Sequence, residues 1–422
     1  MYAAIIEQLA ESFKKEFDLV KHDLGAVEEV IRQKMQILGL GLLQRLVDSQ
    51  PNGYQGSSLP CSCGGSMKFV QHRSRDIHSI FGWMEIKRAY YYCPDCRRSL
   101  TPYDRSSGLG SEQLSPALAQ ACCLLAVDDS FEVASRKIER LFGQSVSNDT
   151  VKAVVHHVGS VALRDEQQAL DEFLATKCIP EAQSAPERMY ITPDGTTVCE
   201  EGVWHEAKVG CIYWQDEYFK RHARYLGGFD NSERFGWKLW LAACRCGLRQ
   251  AGELVYIGDG AGWIRTEQIR HFSKGTFIID WYHASEHIWD CGKALLGEGT
   301  AATAQWVGKH LDLLWEGRTK KLLDALMLQR KRHKGSKRAA LNSLINYIST
   351  NEEQMRYDVY RAKGYDIGSG AVEGACKNLV GKRLKQSGMR WTRCGSSSTL
   401  ALRITWLNEG WEELWSKKPL AA

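Results

Sequence analysis

Between Arg188 and Leu296 the hydrophobic pattern runs through three strand-like stretches in a row and then alternates helix with strand. Met189–Thr192 leads into Asp194-Gly195-Thr196, His205–Trp214 alternates as a second strand, and Ala223–Phe229 reads as a third. A helix is expected over Ser232–Leu248, an apolar strand over Glu253–Ile257 ending at Asp259, and a helix over Trp263–Phe272. A strand over Thr276–Ile279 and a helix over His283–Leu296 complete the run. Such an order folds into a mixed α/β sheet. A sheet of this kind gathers sequence-distant strand ends at one edge, where open α/β folds place their sites. Residues 300–360 are helical and polar without strand signals, and read as an insertion before a final helix carrying Glu373.

The remaining segments divide the chain further. At 422 residues it is too long for one ordinary core. We read a helical arm (1–48), a cysteine-bearing β module (60–105), a helical region (112–177), a first α/β part (187–298), the insertion (299–362) and a final α/β part (363–422). The arm repeats Ile6, Leu9, Phe13, Phe17 and Val20, then Val27, Val30, Ile31, Met35 and Leu38, at helical spacing. That pattern gives either a packing face for the rest of the chain or a dimerising surface. Ser49–Pro60 and Cys178–Pro186 read as linkers. No run of about 18 apolar residues is present, so no membrane span is expected. The acidic N-terminus lacks a secretory pattern, and a cytoplasmic location is expected. A net charge of +5 permits nucleic-acid binding without arguing for it, but cations crowd into Arg318–Lys321, Arg330–Arg338 and Lys377–Arg393.

Asp194 and Asp259 each follow an apolar strand and precede a glycine, which places both just beyond strand ends. Glu373 stands in Gly368-Ser-Gly-Ala-Val-Glu-Gly-Ala-Cys-Lys377, at the start of a helix expected to continue to about Lys385. Each acid alone could cap a turn or a helix. Lys377, at i+4 from Glu373, either pairs with it or meets a phosphate. Three acids on one edge suit phosphodiester chemistry. Mg²⁺ or Mn²⁺ takes oxygen ligands, and two ions about 3.5–4 Å apart activate the attacking oxygen and stabilise the leaving one.

Cys61-x-Cys63 and Cys93-x-x-Cys96 flank a β hairpin and offer four thiolates to a structural zinc in a ribbon-like module. The single residue inside the first pair departs from the usual knuckle, and the alternative is two pairs of buried thiols. The other cysteines, Cys376 among them, read as small core residues. Between Phe131 and Val158, a helix, a turn at Gly143 and a second helix capped by Ser147 fit a helix-turn-helix. Its second helix would show Asn148, Lys152 and His156 to a major groove, with Val151, Val154 and Val155 inward. A plain helical hairpin shares the pattern. Lys382, Arg383, Lys385, Arg390 and Arg393 are expected at phosphates, and Trp391 either stacks on an unpaired base or joins the core.

The fragments Asp194-Gly-Thr, Gly258-Asp-Gly-Ala261, Asp280-Trp-Tyr-His283, Ile367-Gly-Ser-Gly-Ala-Val-Glu373 and Gly381-Lys-Arg-Leu-Lys-Gln-Ser-Gly-Met-Arg-Trp391 resemble the DDE transposases of bacterial insertion sequences. The branch they resemble is the ISKra-type, related to Mutator-like elements, and the likeness runs from about residue 60 to 415. It implies a ribonuclease-H-like catalytic domain with a helical insertion and Asp194, Asp259 and Glu373 as a triad holding two Mg²⁺ or Mn²⁺ ions. It further implies an auxiliary role for Asp280 and His283, which match a C/D-x-x-H motif. The partners it implies are element terminal repeats and target DNA, met by a homo-oligomer at the bacterial nucleoid. A metal-dependent nuclease of the same fold, or a non-catalytic domesticated DNA-binding regulator, stand as alternatives.

Overall fold

The computed structural model describes residues 2–20, 22–386 and 388–421. Ser387 and the side chain of Phe17, both in the patterns above, lie outside the described residues. The chain forms two compact units, residues 1–161 with 410–422, and residues 162–409. No helix among the described residues is long and apolar enough to cross a membrane.

The first unit opens with helices α1 (Tyr2–Val20) and α2 (Leu24–Asp48), separated near Gly25 as the sequence suggests. Asp23 caps α2 by accepting from the Ala26 N–H at 3.1 Å. Strands β1 (Ser58–Pro60), β2 (Ser66–Ser79), β3 (Gly82–Tyr92) and β4 (Ser99–Leu100) form an antiparallel sheet in that order. The long β2–β3 hairpin closes at Ser79↔Gly82, where Gly82 takes the φ of +135° that a side chain would resist. One face packs Ile77, Met84 and Ile86 on Tyr103 and Leu109, with Leu40, Leu43 and Val47 of α2 laid against them.

Helices α3 (Pro102–Ser107), α4 (Pro116–Ala126), α5 (Phe131–Phe142) and the start of α6 (Asn148–Thr176) follow. Ser115, Ser130 and Ser147 cap α4, α5 and α6 with their hydroxyls, which is why each helix begins where it does. Residues 410–422, read from sequence with the final α/β part, group instead with this unit. Within it His157 bonds the Pro419 carbonyl at 3.0 Å, and the Leu420 carbonyl sits where Gly110 leaves no room for a Cβ.

The second unit is built on β5 (Arg188–Glu200), β6 (Val203–Gln215), β7 (Arg221–Gly228), β8 (Glu253–Gly258) and β9 (Thr276–Ile279). Their spatial order is β7-β6-β5-β8-β9. The first three pair antiparallel, whereas β8 lies parallel to β5 and β9 parallel to β8. This is the mixed α/β sheet that the succession of strands demanded. Helix α7 (Ser232–Arg245) brings Leu239 and Phe235 onto Gly210 on one face. Neighbouring positions on a strand face opposite ways, so Gly227, paired with Val209, receives Leu400 and Ile404 of α16 (Arg393–Leu407) on the other. Helices α8 (Gly262–His271) and α9 (Trp281–Leu296) follow β8 and β9. The stretch read as an insertion is helical throughout, as α10 (Ala301–Trp315), α11 (Thr319–Arg332), α12 (Gly335–Asn351) and α13 (Tyr357–Ala362). The helix of Glu373 departs from expectation. It starts as α14 (Gly370–Ala375), widens into a π-helical turn over Cys376–Gly381, and ends as α15 (Lys382–Leu384). In the widened turn the Lys382 N–H bonds the Lys377 carbonyl, five residues back. Residues 410–422, which group with the first unit, form a short α17 (Trp411–Ser416) and a 3-10 turn over Pro419–Ala421.

Candidate active site

Asp194 is not beyond a strand end, as its Pro-Asp-Gly setting suggested. β5 runs on to Glu200 because its ladder with β6 continues through Asp194↔Val209 as far as Glu200↔Val203. What ends near Asp194 is the neighbour on the other side. The last β5–β8 rung is Ile191↔Tyr256, and three residues further each parallel strand reaches its acid, Asp194 and Asp259. Pro193 falls just past that last rung, so its missing N–H costs the parallel ladder nothing. The two carboxylates therefore stand at one level on adjacent chains, at the edge where the parallel pairing opens.

Local turns aim both groups. Asp259 accepts from the Ala261 N–H at 2.7 Å around Gly260, whose φ of +88° needs glycine. Asp194 accepts from the Gly195 N–H at 2.7 Å and, through its other oxygen, from the Cys376 thiol at 3.3 Å. Burial lifts the Asp194 carboxyl above the ordinary aspartate value. The Cys376 thiol and the Gly195 N–H oppose the rise, the Asp259 charge adds to it, and a His283 charge acts against it. The Cys376 thiol is held protonated by burial, then by the Asp194 charge beside it.

Glu373 is exposed on α14 and accepts from Ser369 Oγ at 3.2 Å. It stands three residues before Cys376, on the helix that this thiol clips to Asp194. Among the described residues, these three acids do not close into one tight ligand cluster. Asp194 and Asp259 suit a hard cation, because two adjacent carboxylates repel until a cation lies between them. Glu373 would have to swing inward from its Ser369 bond to join them.

Asp280 is fully buried and does not face the opening. One oxygen caps α9 by accepting from the His283 N–H at 3.0 Å, and the other accepts from the Ser369 N–H. Trp281 N–H adds a bond to the Ile367 carbonyl at 3.0 Å. Asp280 is thus the peg that fixes the loop delivering Glu373, and His283, half-buried beside it, pairs with Glu286 at 3.5 Å. We expect Asp280→Ala to lower unfolding free energy by about 2–4 kcal/mol, since it strips a cap and strands two inward N–H groups. Urea titration of the full chain measures this, and a loss below about 1 kcal/mol would contradict the role.

Sequence reasoning missed three groups here. Cys376 is not a core filler but the donor to Asp194, and its i+3 spacing from Glu373 was the available signal. Tyr347, from α12, donates to the Asp259 carbonyl at 3.3 Å and stacks on His287 with ring centroids 3.8 Å apart. Ser369 joins Asp280 to Glu373.

On the segment that follows Glu373, Lys377, Lys382, Lys385 and Arg390 are exposed, with Lys385 bonded to Thr196 Oγ1. One expectation fails, and the choice left open for Trp391 falls to the core. Arg383 is only 1% exposed, with its guanidinium 5.0 Å from the Trp391 ring centre, and no phosphate reaches it there. Trp391 is a core residue that donates to the Leu384 carbonyl at 3.1 Å, while its own carbonyl accepts from Glu201 N–H. Arg393 lies over the Phe229 ring and pairs with the buried Glu200 at 2.9 Å, so much of its charge is already answered.

In the first unit, Cys61, Cys63, Cys93 and Cys96 bring their sulfurs within 4.8 Å of one another. Cys61 and Cys96 stand 3.5 Å apart, and Cys63 and Cys93 stand 3.7 Å apart. A tetrahedral zinc with Zn–S bonds of roughly 2.3 Å separates its sulfurs by about 3.8 Å, so the set fits a structural, closed site. The short Cys-x-Cys knuckle is accommodated by Gly64, with φ of +88°, and by Gly65, whose carbonyl accepts from Cys61 N–H. The Cys63 N–H draws the Cys61 thiol down to about 7, whereas Cys63 and Cys96 beside it are shifted up. In the helix pair, Val151, Val154 and Val155 are fully buried as expected, and Asn148 and Lys152 are exposed. His156 is turned inward, its ring edge-on to Phe131 at 5.8 Å, and leaves the groove-facing set.

Residues 66–195 match the model of an uncharacterised protein family, UPF0236. That span takes in the second cysteine pair, the α5–α6 helices and Asp194. A UPF0236 protein in the vanSb 3′ region of Streptococcus gallolyticus is 24% identical over 346 residues, which cover 78% of this chain and 72% of that protein.

Proposed function

We propose that the chain is a ribonuclease-H-like DNA transposase that cuts strands at the ends of its element and joins the freed 3′-hydroxyl to target DNA. The observation that carries this reading is the level position of Asp194 on β5 and Asp259 just past β8, each three residues beyond the last rung between those strands, with the helix of Glu373 clipped to Asp194. Divalent ions bound there would lower the pKa of an attacking water or hydroxyl and offset charge on the leaving oxygen. Asp194 and Asp259 would supply the charge that holds them, and bound cations would offset the burial that lifts the Asp194 carboxyl. Glu373, once released from Ser369, would add a third carboxylate from the helix side. The exposed Lys377, Lys382, Lys385 and Arg390 meet phosphates, whereas Asn148 and Lys152 reach a groove from α6.

The test uses the full chain, Mg²⁺ or Mn²⁺, and duplexes carrying the sequences that flank its reading frame, with one labelled 3′-hydroxyl end. Joined product is the expected result. Cleavage without joining would make the chain a nuclease of the same fold. Neither reaction, together with no divalent-ion binding, would make it a DNA-binding protein without catalysis.

A further inference from the structure

Helix α2 carries two apolar lines, and the described residues cover only one of them. The inner line lies on the β module, through Leu40, Leu43 and Val47 on the Ile77 cluster, and Gln44 donates to the Glu85 carbonyl at 2.8 Å. The outer line is open: Leu24 is 74% exposed, Ile31 44%, Met35 53%, Leu42 63% and Leu46 62%. At about 100° of rotation per residue, these positions and the half-buried Leu38 fall in one stripe roughly 80° wide, on the side away from Leu40 and Val47. Helix α1 runs alongside, with Phe13 5.4 Å from the Lys34 ammonium, and leaves the stripe open. A line of large apolar side chains along about 33 Å of helix is more than a soluble surface usually shows.

We propose that this stripe is the seam of a two-fold dimer, in which α2 packs antiparallel against α2 of a second copy. A two-fold interface must be complementary to itself, and the stripe is. About a point between Gln36 and Ile37, Ile31 falls opposite Leu42 of the other copy and Met35 opposite Leu38. The same operation brings Glu28 opposite Arg45, both exposed, so each end of the seam receives a charge pair of opposite sign. A parallel pairing would set Glu28 against Glu28 and Arg45 against Arg45. Charge therefore selects the antiparallel arrangement as well as the partner.

Sedimentation velocity on the full chain without DNA, over a concentration series, tests the seam. The wild type is expected to dimerise, and Ile31→Glu with Leu42→Glu to raise the dissociation constant at least about a hundred-fold by placing carboxylates in it. Circular dichroism equal to the wild type's shows that the variant is folded. Glu28→Arg alone and Arg45→Glu alone each weaken the dimer several-fold, and the two together restore it. That rescue reports register as well as contact. A wild type that stays monomeric throughout, whether or not it takes up a lipid vesicle or another protein, overturns the proposal. So does a dimer that survives Ile31→Glu with Leu42→Glu, or a charge exchange that fails to restore association.

Discussion

Asp259→Ala is expected to lower metal-dependent cleavage and joining by about a thousand-fold or more, while DNA retention in a gel-shift assay stays unchanged. The carboxylate lies one residue past β8, and its chain position is held independently of its side chain, because Tyr347 bonds the backbone carbonyl. Removing the side chain therefore deletes charge without collapsing the strand end. Asp194→Asn should lose activity to the same degree and add a second signature. Burial raises the Asp194 carboxyl, so the folded state binds its proton more tightly than the unfolded chain does. The stability this gives is fully present below the unfolded value, near 3.9, and is lost as pH rises through the raised folded value. At neutral pH the metal-free wild type thus carries a half-buried charge answered only in part by the Gly195 N–H and the Cys376 thiol. Asp194→Asn should melt higher than wild type in chelator, on the scale of about 1 kcal/mol, with the gap closing on Mg²⁺ addition. Equal melting of the two proteins, with and without Mg²⁺, would refute the assignment of Asp194 to a cation.

The second large effect concerns the four thiols. Cys93→Ser, or treatment with a strong chelator, should release one zinc per chain and unfold the cysteine end of the β1–β4 module. Structural zinc contributes about 10–16 kcal/mol in isolated finger peptides, comparable with the whole stability of a small domain. The apolar content at that end is slight: Met67, Ala89 and Tyr91 lie buried beside the cysteines, with Leu59, Phe69 and Leu100 against them, whereas the far end of the hairpin keeps its own cluster of Ile77, Met84 and Ile86. Mass spectrometry counts the metal, and limited proteolysis within residues 58–100 reads the unfolding. Wild-type protein purified without metal and equally resistant to protease would show that the thiols are merely packed.

The succession of strands and helices along the chain was largely legible, because periods of two and of 3.6 residues separate cleanly where one face is buried. The failures share a cause, which is dependence on a neighbour far away in sequence. Thr192-Pro-Asp-Gly-Thr196 carries turn signals, yet β6 supplies partners along the whole stretch and the strand continues. Arg383 and Trp391 sit in a basic run that looks like a phosphate-binding face, but they lie one on the other in the interior. His156 has the spacing of a groove residue, and Phe131 of the preceding helix turns it inward. Cys376 looked like filler because nothing local reveals that β5 passes within reach of its thiol. Sequence patterns name the acids, and tertiary partners decide which way each one points.

Tyr347 bonds the carbonyl of Asp259, and Tyr357 bonds that of Ile279 at 2.9 Å. Both phenols come from residues 299–362, the stretch that interrupts the α/β pattern. The interruption is consequently a strut rather than an ornament. A shortened chain lacking it would strand two backbone acceptors at the mouth of the sheet, at a cost of about 1–3 kcal/mol each, and would slacken the peptide on which one of the acids rides.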